Sequence, residues 1–179
     1  MKTKPSTEYA LMGALMRGPR HGYEIQQFLE TALGSTWHVG MSQIYAVLKR
    51  LEEKGFLRSS MESQETRPSR RVFSIMPGGE AAFLGWLHRP AEHVRDLRIE
   101  FLAKLFFFRR LSLPGGAALV AAQAGVLDQQ REKMVRRRRE EKDPFNRLVL
   151  AFKIATVDAW RKWLIEQAAV FIGDSPNAC

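Results

Sequence analysis

Only one of the 179 residues is a cysteine, Cys179, and only four are histidines. A lone cysteine closes no intramolecular disulfide and builds no multi-cysteine metal site. His21, His38, His88 and His93 show neither H-x-x-x-H nor H-E-x-x-H spacing, so no metal centre is expected. The chain has no G-x-S-x-G elbow, no phosphate-binding loop and no dinucleotide fingerprint. With no nucleophile set beside a base, neither catalytic residues nor a cofactor is expected, and an enzyme is not. Apolar runs such as Leu105-Phe106-Phe107-Phe108 fall far short of the roughly 20 residues that span a bilayer. Met1 to Pro5 lacks the apolar stretch of a signal peptide. The expected location is therefore the cytoplasm, with no membrane association. Acidic residues are also in short supply. The 28 Lys and Arg against 19 Asp and Glu leave a formal charge of +9 and a pI near 10.1. That balance favours a polyanionic partner, nucleic acid ahead of an anionic membrane. The excess is spread along the chain, +4 over residues 1–89 and +5 over residues 90–179.

What is present centres on residues 42–55. Ile44, Val47, Leu48 and Leu51 recur at the i, i+3, i+4, i+7 positions of one helix face, which seeks a core. The opposite side carries Ser42, Ala46, Lys49, Arg50 and Glu53, flanked by Gln43 and Tyr45. Ser42 is placed to cap the helix, and Gly55 to end it in the left-handed conformation. A polar first turn, a small central residue and two cations suit a helix laid in a DNA major groove.

The neighbours supply the context. The pattern predicts a helix over Thr7–Met16, a turn at Gly18–Gly22, and a second helix over Tyr23–Leu33. A connector follows to Met41, with Trp37 and Val39 against the core. Three short helices in this order have the layout of a helix-turn-helix. Period-two alternation then appears twice, in Leu57, Ser59 and Met61 and in Phe73 and Ile75, around a polar turn. This is a hairpin wing. Arg67, Arg70 and Arg71 near its tip suit phosphate contact or a narrow minor groove; the plainer reading is a solvated edge protected by charge. Pro77–Arg89 forms a fourth helix using Ala81, Phe83, Leu84, Trp86 and Leu87, and Pro90 marks a boundary.

Taken together, four segments carry a family resemblance. Tyr9 to Leu15 leads into Gly18-Pro19-Arg20-His21-Gly22-Tyr23-Glu24-Ile25. Ser42 to Leu57 then contains the pattern I-Y-x-x-L-x-R-L-E-x-x-G, and Arg67 to Phe73 follows. At this spacing the chain resembles the PadR family of bacterial winged-helix transcriptional regulators over residues 7–89. One departure is Met76, where that family usually has a capping Thr, which weakens the start of the fourth helix. The resemblance implies a homodimer that binds DNA, often as a repressor, and family members that respond to phenolic acids or hydrophobic drugs.

The second half resembles the longer members of that family. Leu97, Phe101, Leu105 and Phe108 recur at helical spacing, Pro114-Gly115-Gly116 interrupts, and a long helix runs over about Ala117–Lys142. Asp143 caps a last helix with Pro144 at its first position, extending to about Phe171. Phe145, Leu148, Val149, Phe152, Ala155, Ala159 and Trp163 form a wide apolar stripe on it. About 90 residues cannot bury so many apolar faces alone, and a two-fold homodimer is the commonest remedy. Trp86, Phe152, Trp160 and Trp163 are the candidates for a small aromatic effector, although the plainer reading of the same rings is a dimer core. Arg136 to Arg139 is either a solvated helix end or a second DNA contact.

The expectation is thus a mostly α fold with a small hairpin wing: a winged helix-turn-helix DNA-binding domain over 1–89 and an all-helical dimerisation and effector-sensing domain over 90–179. Its partners would be a pseudo-palindromic double-stranded operator, a second copy, and a small aromatic effector. Tyr23, Ser42, Gln43, Tyr45, Lys49, Arg50, Arg67, Arg70 and Arg71 would contact DNA, with Lys49 or Arg50 at a guanine edge and the tyrosines on phosphates. A winged-helix adaptor that binds protein, or a DNA-binding regulator without a ligand, is the alternative.

Overall fold

The computed structural model describes residues 5–34, 38–62 and 70–173. Trp37, Arg67 and Cys179, singled out above, lie outside them. The chain divides into two compact units, Met1–Leu87 and His88–Cys179.

In the first unit α1 (Pro5–Leu15) is followed by β1 (Arg20–His21), α2 (Gly22–Leu33), α3 (Met41–Glu53), β2 (Leu57–Glu62), β3 (Arg70–Ile75) and α4 (Pro77–Leu87). Ala10, Leu11, Met12, Ala14 and Leu15 are all buried, so α1 is enclosed on every side, packed by α2, α3, α4 and β3. Arg20 closes its C-terminal end: Nε donates to the Ala14 carbonyl at 2.8 Å, and the guanidinium lies over the Phe28 ring. β3 is the central strand of a three-stranded antiparallel sheet of order β1-β3-β2, in which Phe73 stands between Arg20 and Ser59. Of α3, Ile44, Val47, Leu48 and Leu51 are buried, as the spacing requires.

Four local expectations need correction. Ser42 does not cap α3. Gly40 occupies the cap in extended conformation, its carbonyl accepts from the Gln43 and Ile44 N–H groups at 3.0 Å, and Ser42 lies inside the first turn. Arg20–His21, expected within a turn, pair with β3 as a strand; two residues are too few to show period-two patterning. Met61 is 66% exposed, because the inward side of β2 stops being covered beyond Ser59, and Ala81 is exposed on α4. Gly55 is left-handed at φ +73°, where the backbone N–H of Phe56 returns to the Leu51 carbonyl at 2.9 Å.

In the second unit α5 (Val94–Asp96) continues through a π-helical turn, Leu97–Phe101, into α6 (Leu102–Arg110). α7 (Gly116–Glu140) and α8 (Pro144–Trp163) form an antiparallel hairpin. Asp143 caps α8 as its spacing implies, accepting from the Asn146 N–H at 2.7 Å, with Pro144 at the first position. Two reciprocal ion pairs, Arg131–Asp158 at 2.6 Å and Arg161–Asp128 at 2.5 Å, set the register of the hairpin. Beyond Trp163 the expected single helix changes into a π-helical segment, Leu164–Ala168, before α9 (Ala169–Gly173). Apolar spacing alone does not separate a helix from a single wide turn within it.

Two faces of α8 are apolar. Leu150, Ile154 and Val157 are buried, on the side that meets α7. Phe145, Leu148 and Phe152, three residues of the wide stripe, are 69%, 65% and 72% exposed.

Candidate nucleic-acid interface

The outward side of α3 holds the candidate contacts. Ser42 and Ala46 are exposed, Gln43 is half-buried, and Tyr45 is 45% exposed. Lys49 extends into solvent, with Glu53 only at 3.9 Å. Tyr23, in the first turn of α2, is exposed. The Tyr45 ring reaches across to Gly22, where a Cβ would stand 2.7 Å from it, so a larger residue there would displace the ring. His21, Tyr23, Glu24, Tyr45, Arg70 and Arg71 line a cleft of about 370 Å³. The structure thereby brings residues of three elements together: the start of α2, the outer face of α3 and the returning strand β3. Hydroxyl, amide and cationic groups gathered at one exposed edge can donate to phosphates and base edges.

Two of the candidate cations have partners within the protein. Arg50 turns back toward α1, its Nε 2.9 Å from Glu8, and Lys54 reaches the other oxygen of the same carboxylate at 2.9 Å. Arg71 Nε donates to Ser59 Oγ at 2.8 Å, while its Nη2 donates to Glu52 at 2.5 Å and its guanidinium covers the Phe73 ring. Ser59 Oγ in turn donates to Glu52 at 2.6 Å. That hydroxyl, with the Arg71 charge alongside, holds the Glu52 carboxyl below its ordinary range. One carboxylate of α3 therefore ties down both strands of the wing. Arg70 is exposed.

Glu8, Glu52 and Ser59 were not singled out from the sequence, since nothing in local spacing aims a carboxylate at a strand seven or nineteen residues away. Glu24 was legible. It stands three residues after His21, the separation of a capping box, and it accepts from the His21 N–H at 2.8 Å. The His21 ring lies 3.3 Å from Glu62.

The aromatic candidates separate. Trp86 belongs to the first unit and is buried, stacked on Tyr9 with centroids 5.0 Å apart. Phe152, Trp160 and Trp163 meet on α8, where with Ala155, Thr156 and Ala159 they line an open groove of about 520 Å³. Beside it a cavity of about 650 Å³ combines Val94, Met134, Phe152 and Val157 with Arg95, Lys133, Lys153 and Thr156. Gln130, also in its wall, donates to the Glu92 carbonyl at 2.6 Å. The segment around Glu92 is further held by Gln123, whose buried amide bonds both the N–H and the carbonyl of Ala91 at 2.6 and 3.0 Å. Lys104 completes this clasp from the core, donating to the Arg89 carbonyl and to Glu100, both at 2.7 Å. Burial pulls its pKa down, against the opposing pull of Glu100. Among the described residues no cluster of His, Cys, Asp and Glu could hold a metal ion, and no helix is long and apolar enough to cross a membrane.

A buried first helix, a two-helix turn ending in a helix with a polar outer face, and an antiparallel wing together define a winged helix-turn-helix. Residues 11–84 match the Transcriptional regulator PadR-like family, and residues 97–171 match Virulence activator alpha C-term. Residues 11–84 are thus a PadR-like domain, described as that of a family of transcriptional regulators. The negative transcriptional regulator PadR of Bacillus subtilis (strain 168) is 30% identical over 105 residues, covering 59% of this chain and 58% of the relative. The chain thus matches little more than half the length of that curated relative. A crystal structure of Bacillus subtilis PadR in complex with operator DNA is similar with a TM-score of 0.49 and 23% identity, over 95% of this chain and 99% of the other. Another, with p-coumaric acid, has a TM-score of 0.42 and 22% identity, over 95% and 98%.

Proposed function

We propose that the chain is a cytoplasmic, homodimeric repressor that binds a pseudo-palindromic operator through residues 1–89 and dimerises through residues 90–179. The observation that carries this reading is the outer face of α3, where Tyr45 stands beside Tyr23 and Arg70 and where Ser42 and Lys49 are exposed. Lys49 reads a guanine edge, Tyr23 and Tyr45 hold phosphates, and Arg67 and Arg70 serve the wing. Arg50 and Arg71 contribute mainly by fixing α3 to α1 and the wing to α3. The exposed apolar face of α8 supports a two-fold dimer, which would present two recognition helices to half-sites about 34 Å apart.

A small aromatic or phenolic acid is the effector in this reading. The α8 groove offers Phe152, Trp160 and Trp163 to a ring, and the neighbouring cavity offers Arg95, Lys133 and Lys153 to a carboxylate. Trp86, already stacked in the first unit, takes no part in it.

The test is binding to a duplex from upstream of the protein's own gene. Lys49→Ala should weaken binding to it by about 1–3 kcal/mol, roughly 5- to 150-fold, and binding to random duplex far less. Equal affinity of wild type and variant for the operator would remove Lys49 from sequence reading. An adaptor that binds protein would show little DNA affinity and no steep salt dependence. Release of the bound duplex by phenolic acids, across a panel that includes hydrophobic drugs, tests the effector.

A further inference from the structure

We propose that the tip of the α7–α8 hairpin is a second, sequence-independent surface for the phosphates of duplex DNA. The inference rests on the regulator reading above and adds a contact outside the winged helix. Arg136, Arg137, Arg138 and Arg139 are consecutive in the last turns of α7, and all four are exposed. Among the described residues none of them forms an ion pair, although Arg131 and Arg161 of the same hairpin are each paired with a carboxylate. The acids of the connecting turn are occupied by its backbone. Glu141 accepts from the Lys142 and Asp143 N–H groups at 3.1 Å, and Asp143 caps α8.

One or two basic residues suffice to complement a helix C-terminus, and further like charges a turn apart repel. Four arginines therefore call for an external anion. At 100° per residue they spread around three sides of the helix. A flat membrane meets one side only, whereas phosphates on both strands of a duplex flank a helix end that approaches a groove. The planar guanidinium pairs with phosphate in bidentate fashion. Another copy of the chain is a poor source of counter-charge, since residues 90–179 carry a net +5.

The experiment compares full-length wild type with a variant in which Arg136, Arg137, Arg138 and Arg139 are all changed to Gln, and one in which all are changed to Lys. Each is titrated with salt on the upstream duplex and on a random duplex of equal length. The Gln variant should lower the slope of log K against log salt by about two to four units on both duplexes, and the Lys variant should keep the wild-type slope. A Gln variant with the wild-type slope overturns the proposal. So does a variant that loses flotation with phosphatidylserine–phosphatidylcholine vesicles while its DNA slopes stay unchanged, an outcome that assigns the tip to membrane. If wild type itself binds neither duplex in a salt-dependent way, the regulator reading falls, and this proposal with it.

Discussion

The two units differ in what they leave exposed. Among the described residues, the large apolar side chains exposed in the first are Tyr23 and Tyr45, at the candidate interface, and Met61 on β2. In the second they are Phe145, Leu148, Phe152, Ile165, Val170 and Phe171, most of them hydrocarbon rings or branched chains. A phenol keeps a hydroxyl for phosphate or base, so the first surface suits a wet, charged partner. A bare phenyl ring has only dispersion and dehydration to offer, so the second suits an apolar one. Surface ion pairs serve both units, Arg131–Asp158 and Arg161–Asp128 in the second, but the second also buries a cation. In the first unit ion pairs at the surface hold the site: Glu8 with Arg50 and Lys54, and Glu52 with Arg71. In the second a cation has been taken into the core, where Lys104 is 1% exposed.

The strongest way to break this comparison is to make the α8 face polar. Leu148→Asp with Phe152→Asp should abolish self-association, at a cost of about 4 kcal/mol, roughly a thousandfold in the dimer constant. Sedimentation equilibrium checks it, and a dimer of unchanged affinity would show that this face is not the contact. Lys104→Ala comes next. Removing a buried cation leaves Glu100 and the Arg89 carbonyl without their shared donor, so the second unit should lose about 3 kcal/mol. Urea denaturation followed by tryptophan fluorescence, with Trp160 and Trp163 reporting, measures that loss.

The smallest effect is the most discriminating. Glu52→Gln removes a negative charge beside the candidate interface, which on electrostatic grounds alone would tighten DNA binding. If Glu52 works by holding the wing, binding should weaken by a few-fold. The pH dependence has a definite sign. The folded-state pKa of Glu52 is lowered, so its stabilising contribution is fully present above the unfolded value and disappears as pH falls through the folded one. The wild type should therefore lose stability in the acid range below ordinary carboxylate values, and the Gln variant should lack that component. A variant that binds DNA more tightly, with the same acid profile, would deny Glu52 this role.

Much of the winged helix was legible because its signals are local. Ile44, Val47, Leu48 and Leu51 announce one buried face and Gly55 announces a left-handed end; in the second unit Asp143-Pro144 likewise announces the start of α8. The Gly40 cap was not, because an extended glycine can cap with its backbone alone while Ser42 offers the more conspicuous side chain. β1 was not, because a two-residue strand exists only by virtue of the strand it pairs with. The aromatic candidates show the same division: Phe152, Trp160 and Trp163 meet because they sit at helical spacing, whereas the stacking of Trp86 on Tyr9 joins α4 to α1 across most of the first unit.

The sequence by itself determined which residues form helices, which face of α3 is apolar, the basic balance, and the family pattern of residues 7–89, since these follow from periodicity, capping and composition. Tertiary structure alone decided how each cation is employed. Lys49 and Arg50 are neighbours on the same polar face, yet Lys49 extends into solvent while Arg50 meets a carboxylate from α1. Arg70 is exposed, while Arg71 is bound to Glu52. A charge carries no label for its partner. The partner is whatever the fold brings within about 4 Å, and that distance is set by the packing of elements remote in the chain.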